Sequence, residues 1–359
     1  MIGWKKTCAW ILAVVLCACG GTGCAGNSLR ENEPGDGGNR QTQNGLGDRG
    51  NSQRENAPKK LKVVTTLFPY FDFARQIAGD QIELVMVIPA GMDSHSFEPT
   101  PADMRTIQEA DILICNGGAM EHWVSQVMEA LDTSHMTILT MMDYADVVEE
   151  EMVEGMEDHD HEHIQGKDGH DQDREEHMEV HEIEYDEHIW TSPVNAMRFT
   201  RIITDTLIQA DPGNRKVYEN GRDAYLEKLE TVHQMFLQVA EDRKRNMIVV
   251  GDKFPFRYLA REYGFDYRAA FSGCSTDTEP SARTIAYLID KVKDERIPAV
   301  YFLELSSHRV SEIIGEETGA EAMLLHSCHS VTRREFDSGV TYVELMMQNA
   351  ENLRKGLDE

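Results

Sequence analysis

The sequence is poor in the features that would bind an exported chain covalently or hold it to nucleic acid. Of its 7 cysteines, four crowd the N-terminus (Cys8, Cys17, Cys19 and Cys24), and only Cys115, Cys274 and Cys328 remain in the body. An odd number excludes a complete disulfide framework, and whether Cys274 and Cys328 pair is left to the fold. Basic residues are scarce, with 35 Lys and Arg against 63 Asp and Glu and a formal charge of −28. Such a surface repels a phosphate backbone, which argues against a nucleic-acid partner. No long apolar run occurs, since the stretch Ala9 to Leu16 is too short to span a bilayer as a mature helix. Neither a His-Glu-x-x-His helix nor a nucleophile elbow is present, which leaves the alternative of a zinc hydrolase without its expected motif.

What the N-terminus does contain is an address. Lys5 and Lys6 precede the apolar run, which ends in Leu16-Cys17-Ala18-Cys19. This is a signal-peptide layout over residues 1–18, and its end resembles a bacterial lipobox with Cys19 as the lipidated first residue and Cys24 as second choice. Residues 19–60, rich in Gly, Asn, Arg and Gln beyond residue 25, carry almost no large apolar side chains and read as a flexible tether. The body is therefore expected outside the cell membrane, held to its outer face by a lipid.

About 300 residues remain, more than one hydrophobic core usually supports, so two lobes are expected. From Leu61 onward, short β-branched runs alternate with amphipathic stretches, the pattern of parallel α/β sheets. Strands are predicted at 62–66, 82–88, 111–115 and 137–139, and again at 247–250, 266–270, 299–303 and 322–325. Helices fall between them, opened at Thr100-Pro101 and at Ser192-Pro193 by N-cap and proline signals. The fold class is thus α/β, with two lobes, each a mostly parallel sheet flanked by helices, joined by one long connector helix. The lobes are assigned to 61–210 and 246–359, and the connector to 211–245, about 50 Å at 1.5 Å per residue and broken only by Gly221. Residues 143–187 form an acidic, His-rich loop with 20 Asp or Glu against Lys167 and Arg174.

Ligands of open parallel sheets bind beyond the carboxyl ends of the strands. His95, Asp252, Glu304 and His329 all lie at such ends, and His188 closes the acidic loop just before a helix. Each alone is commonplace, and their shared placement is what singles them out.

Gly91-Met92-Asp93-Ser94-His95-Ser96-Phe97-Glu98-Pro99-Thr100-Pro101 resembles the first ligand motif of the zinc- and manganese-specific solute-binding lipoproteins of bacterial ABC importers. Asp186-Glu187-His188-Ile189-Trp190 resembles their second, and Asn116-Gly117-Gly118-Ala119-Met120-Glu121-His122-Trp123 a further signature. The resemblance covers about 61–357. It implies His95 and His188 as metal ligands, a two-lobed fold with a connector helix, and delivery of the ion to an ABC permease. The third family position falls on Lys253 without a gap, where an ammonium cannot coordinate, or on Asp252 if Pro255 marks a one-residue insertion; Glu304 is the substitute. Asp252 is then expected at bonding distance with Lys253 turned away, towards an acid such as Glu304. The fourth aligns best with His329, with His326 and Cys328 as alternatives.

Three imidazoles and a carboxylate suit zinc, whereas an oxygen-rich set would favour manganese, which stays the alternative. His159, His161 and His163 in the acidic loop, with His170, His177 and His181, form a tract of the kind that binds metal loosely. A monomer that captures and delivers an ion without turnover is expected. A metal-binding surface adhesin is kept as a further reading.

Overall fold

The computed structural model describes residues 59–156, 184–275 and 279–358. The leader, Cys19 and most of the tether, together with the loop histidines His159, His161 and His163, lie outside the described residues.

Among the described residues, eight strands form two four-stranded parallel sheets with the same topology. β1 (Leu61–Thr65), β2 (Ile82–Met86), β3 (Ile112–Cys115) and β4 (Thr137–Thr140) make the first, in the order β2-β1-β3-β4. β5 (Met247–Phe254), β6 (Asp266–Ser272), β7 (Ala299–Phe302) and β8 (Glu321–Leu324) make the second, in the order β6-β5-β7-β8. In each sheet the strand order reverses beside the first strand, the switch point at which loops diverge and leave a crevice. The first sheet is followed along the chain by α1 (Phe68–Ala78), α2 (Pro101–Gln108), α3 (His122–Ala130) and α4 (Pro193–Ala210) in their turns, then by α5 (Arg215–Asp242). The second carries α6 (Arg257–Tyr263), α7 (Ala282–Glu295), α8 (Arg309–Thr318), α9 (Arg333–Ser338) and α10 (Tyr342–Asp358).

Local signals explain most starts. Thr100 caps α2 with a reciprocal bond to Asp103, and Ser192 accepts from Asn195 at the head of α4, each with a proline in the first turn. The long helix is shorter than its sequence signal. Pro212–Asn214 forms a separate 3-10 turn, so α5 proper is 28 residues, about 42 Å. It packs against α1, α4, α6 and α10. Gly221 is no breaker here: a β-carbon at that position would stand 2.1 Å from the Ile77 carbonyl oxygen, so the glycine lets α5 cross α1 closely.

One apolar cluster runs through both halves, from Val63 and Phe73 through Tyr225 and Phe236 to Val250 and Leu353. A second lies on the far face of the second sheet, where Val249, Phe271 and Val300 meet Leu288 and Ile314 of α7 and α8. At the centre of the first, the fully buried Asp72 carboxylate accepts from Arg75, Gln76, the Tyr225 hydroxyl and the Tyr342 backbone N–H. It thereby joins α1 and α5 and caps α10, and the pairing with Arg75 at 2.6 Å offsets the cost of burying its charge.

The three described cysteines are free, so Cys274 and Cys328 do not pair.

Candidate metal centre

Three histidines reach one cavity by the same local device. The backbone N–H of His95 donates to Asp93 Oδ1 at 2.8 Å, that of His188 to Asp186 Oδ1 at 2.8 Å, and that of His329 to Ser327 Oγ at 3.1 Å. A short polar side chain that bonds the backbone two residues on locks a turn, so each imidazole leaves a fixed stem. His95 follows β2, His188 precedes α4, and His329 follows β8.

The cavity, of about 530 Å³, is lined by His95 and His188 from the first half and by Asp252, Lys253, Glu304 and His329 from the second. Ring centroids of His95 and His188 stand 6.2 and 6.1 Å from that of His329. Imidazoles bonded to one tetrahedral zinc at about 2.0–2.1 Å have centroids about 5 Å apart. As the side chains stand, no set of three His, Cys, Asp or Glu among the described residues closes tightly enough to hold an ion. The three rings need an inward movement of about 1 Å, within the reach of side-chain rotation.

Electrostatics separates the three. Desolvation in the cleft pushes His95 down to about 4 and His329 down to about 3, against the pull of Asp93. Both rings are thus neutral imidazoles at neutral pH, the form that coordinates a metal. Burial acts the same way on His188, but Asp186, which also meets its Nδ1 at 3.3 Å, outweighs it with help from Glu150 and Glu187 and raises its pKa. A carboxylate on one ring nitrogen fixes the ring and leaves the other to face an ion.

The second half supplies the carboxylates. β5 gains one residue on β6 between Val250 and Lys253, a bulge at Gly251-Asp252. Gly251 is required there because a β-carbon would meet Ser311 at 2.5 Å. Asp252 Oδ1 accepts the Lys253 backbone N–H at 2.8 Å. Glu304 is engaged elsewhere: its carboxylate accepts the Ser327 backbone N–H at 2.7 Å and the Ser327 hydroxyl, with His326 Nδ1 3.6 Å away. Lys253 lines the same cavity, and its charge reaches Asp93, His95 and His329. His326 and Cys328 are buried and do not line the cavity, His326 being clasped at its backbone by Asn349.

Several positioning groups escaped the sequence reading. Asn116 Nδ2 donates to the Glu187 carbonyl at 3.0 Å, and the Glu187 carboxylate accepts the Met120 N–H at 2.7 Å and the Ala119 N–H. Gly118, at φ 81, admits that carboxylate where a β-carbon would collide with it at 2.4 Å. The Asn116-Gly117-Gly118 signature thus fixes the residue before His188. Gly273 at the end of β6 likewise leaves room for His188 Nδ1, 3.2 Å from where its β-carbon would be. The pattern Asp-x-His, which occurs at Asp93–His95 and Asp186–His188 and once more at Asp168–His170 in the acidic loop, is the signal that would have flagged Asp93 and Asp186.

Comparison with known proteins agrees with this architecture. The family model described as zinc-uptake complex component A, periplasmic, matches residues 63–356. The high-affinity zinc uptake system protein ZnuA of Bacillus subtilis is 31% identical over 298 residues, covering 83% of this chain and 88% of that protein. The zinc-binding lipoprotein AdcA of Streptococcus pneumoniae is 30% identical over 304 residues, which are 84% of this chain but only 57% of AdcA. Among solved structures, the metal-dependent lipoprotein YcdH of Bacillus subtilis superposes with a TM-score of 0.67 at 29% identity, covering 84% of this chain and all of that one. The Zn(II)-bound ZnuA-like domain of Streptococcus pneumoniae AdcA does so with 0.65 at 28%, over 84% of this chain and 100% of the domain. The two-sheet fold, the paired histidine motifs and the family match together show that the chain belongs to the periplasmic zinc-uptake component A family.

Proposed function

We propose that this protein captures one zinc ion outside the cell membrane, in the cleft between its two halves, and delivers it to the permease of an ABC importer without chemical turnover. The observation that carries the reading is the approach of His95, His188 and His329 across one cavity, each on a locked turn, two from the first half and one from the second. Asp252 supplies the carboxylate at the third family position in this reading, since it lies in the cavity wall while Ser327 occupies Glu304. Three imidazole nitrogens and one carboxylate make a tetrahedral set suited to zinc and leave no open position for an attacking water, which separates a carrier from a hydrolase. The named functions of the zinc-uptake and zinc-binding relatives support the same cargo. Cys19 would anchor a monomer to the membrane, and His159, His161 and His163 would collect ions loosely.

Replacing His95 or His188 with alanine tests the site. Each variant is expected to stay folded by circular dichroism and to lose zinc affinity by at least about tenfold, because a four-ligand site loses one imidazole. Wild-type affinity in both variants by calorimetric titration would contradict it.

A further inference from the structure

His329 belongs to the second half by sequence but is held by the first. Its Nε2 lies 2.6 Å from the hydroxyl of the buried Ser94, and its ring stacks on the Trp190 indole at 5.5 Å and 27°. Trp190, two residues after His188 and fully buried, also meets the His188 ring edge-on at 5.4 Å. Its indole N–H donates to the Ser327 carbonyl at 2.8 Å, and its own carbonyl accepts the Tyr342 hydroxyl at 2.7 Å. One side chain of the first half therefore grips both the ring and the backbone of the loop that carries the second-half ligand.

That loop needs a grip. Cys328, between Ser327 and His329, has φ 60, a left-handed backbone that side chains other than glycine rarely adopt. Such a conformation persists where its surroundings over-determine it. Here the surroundings are the Cys328 N–H on His326 Nδ1 at 2.9 Å, Ser327 on Glu304, and the Trp190 N–H on the Ser327 carbonyl. Only the last of these three comes from the first half.

We propose that Trp190 is a positioning residue that docks the His329 loop onto the first half, so that His329 faces His95 and His188 before the ion arrives. The proposal rests on the zinc reading given above. Core packing alone accounts for the burial of the ring, but not for the pairing of its N–H with the ligand loop. The two roles separate in a phenylalanine variant, which keeps an aromatic ring and loses the donor.

The test is a double-mutant cycle of zinc affinities in the full chain, comparing wild type, Trp190→Phe, His329→Ala and the double variant, with thermal unfolding of the metal-free proteins recorded beside it. Trp190→Phe is expected to weaken zinc binding about tenfold, the usual size for loss of a group that orients a metal ligand. In the His329→Ala background the same change should have almost no further effect, because the indole acts through His329. Losses that multiply in the double variant, or unchanged affinity in Trp190→Phe beside a weakened His329→Ala, would overturn the positioning role and leave the zinc reading standing. Wild-type affinity in His329→Ala would instead remove the zinc site as drawn. Should the phenylalanine variant fail to fold, site-specific benzothienylalanine, which matches the indole in shape and lacks only the N–H, takes its place with the same expected outcomes.

Discussion

Asp252 and Lys253 are neighbours on β5 with opposite consequences for a cation, and both line the cleft. A carboxylate adds an oxygen ligand and offsets charge, whereas an ammonium repels the ion. Asp252→Asn is therefore expected to weaken zinc binding, and Lys253→Ala to leave it unchanged or tighten it; calorimetry showing the reverse order would place the third ligand elsewhere. A second residue-scale expectation concerns Glu121, whose buried carboxyl is pushed up to about 7 although the Thr66, Gly117 and Asn116 groups around it pull the other way. Its unfolded value is near the ordinary 4.5. Between those two values the native chain holds more protons than the unfolded one, so stability is highest at the acid end and falls as pH rises towards 7. Glu121→Gln, neutral at all pH, should flatten this slope; equal pH 5 to pH 7 differences in urea unfolding of the metal-free wild type and variant would refute it. His95 and His188 were legible because their flanking motifs are distinctive. Glu187, Ser94 and Gly273 were not, because their role is to bond or make room for a residue distant in sequence, which no local pattern encodes.

Elements whose cause is local were read from the sequence with small errors at their ends. α2 and α4 start at their Thr-Pro and Ser-Pro signals. α9 was missed, although Thr332 and Glu335 form a capping box at its head, because its 6 residues offer too little apolar periodicity. The bulge in β5 was not predicted, since a bulge becomes definite only when the partner strand is known. Gly221 read as a flaw in α5 and is a crossing point with α1. Intrinsic propensity favours Gly221→Ala by about 1 kcal/mol in a helix, while the clash with the Ile77 carbonyl opposes it. Overpacking of this kind costs typically about 1–3 kcal/mol, and backbone cannot rotate away as a side chain can. The substitution is expected to lower stability in denaturant unfolding, and a gain would show that α1 and α5 are not closely apposed.

At the scale of the molecule, the alternation of strands and helices predicted two parallel sheets, and the described residues form them with one repeated order, β2-β1-β3-β4 and β6-β5-β7-β8. What the alternation did not convey is how the acidic loop is rooted. Its ends pair, with Glu150 N–H on the Glu184 carbonyl and Asp186 N–H on the Val148 carbonyl, both at 2.9 Å. The Tyr258 hydroxyl of the second half donates to the Asp186 carbonyl at 2.6 Å, and Arg257 pairs with Glu151. Removal of 150–182 would cut the Glu150–Glu184 and Arg257–Glu151 contacts, so the informative deletion is 157–183, bridged by a short Gly-Ser linker. That variant is expected to fold, keep one tight zinc and lose weaker ions, because the excised stretch has no apolar periodicity; loss of the tight site would make the loop part of the primary shell. Cargo and stoichiometry are read together by titrating the metal-free full chain with zinc against a chelator, then challenging the loaded protein with excess manganese. One tightly held zinc per chain that manganese does not displace is the predicted result, and a tight site that manganese fills in preference, or no tight zinc site at all, would contradict it.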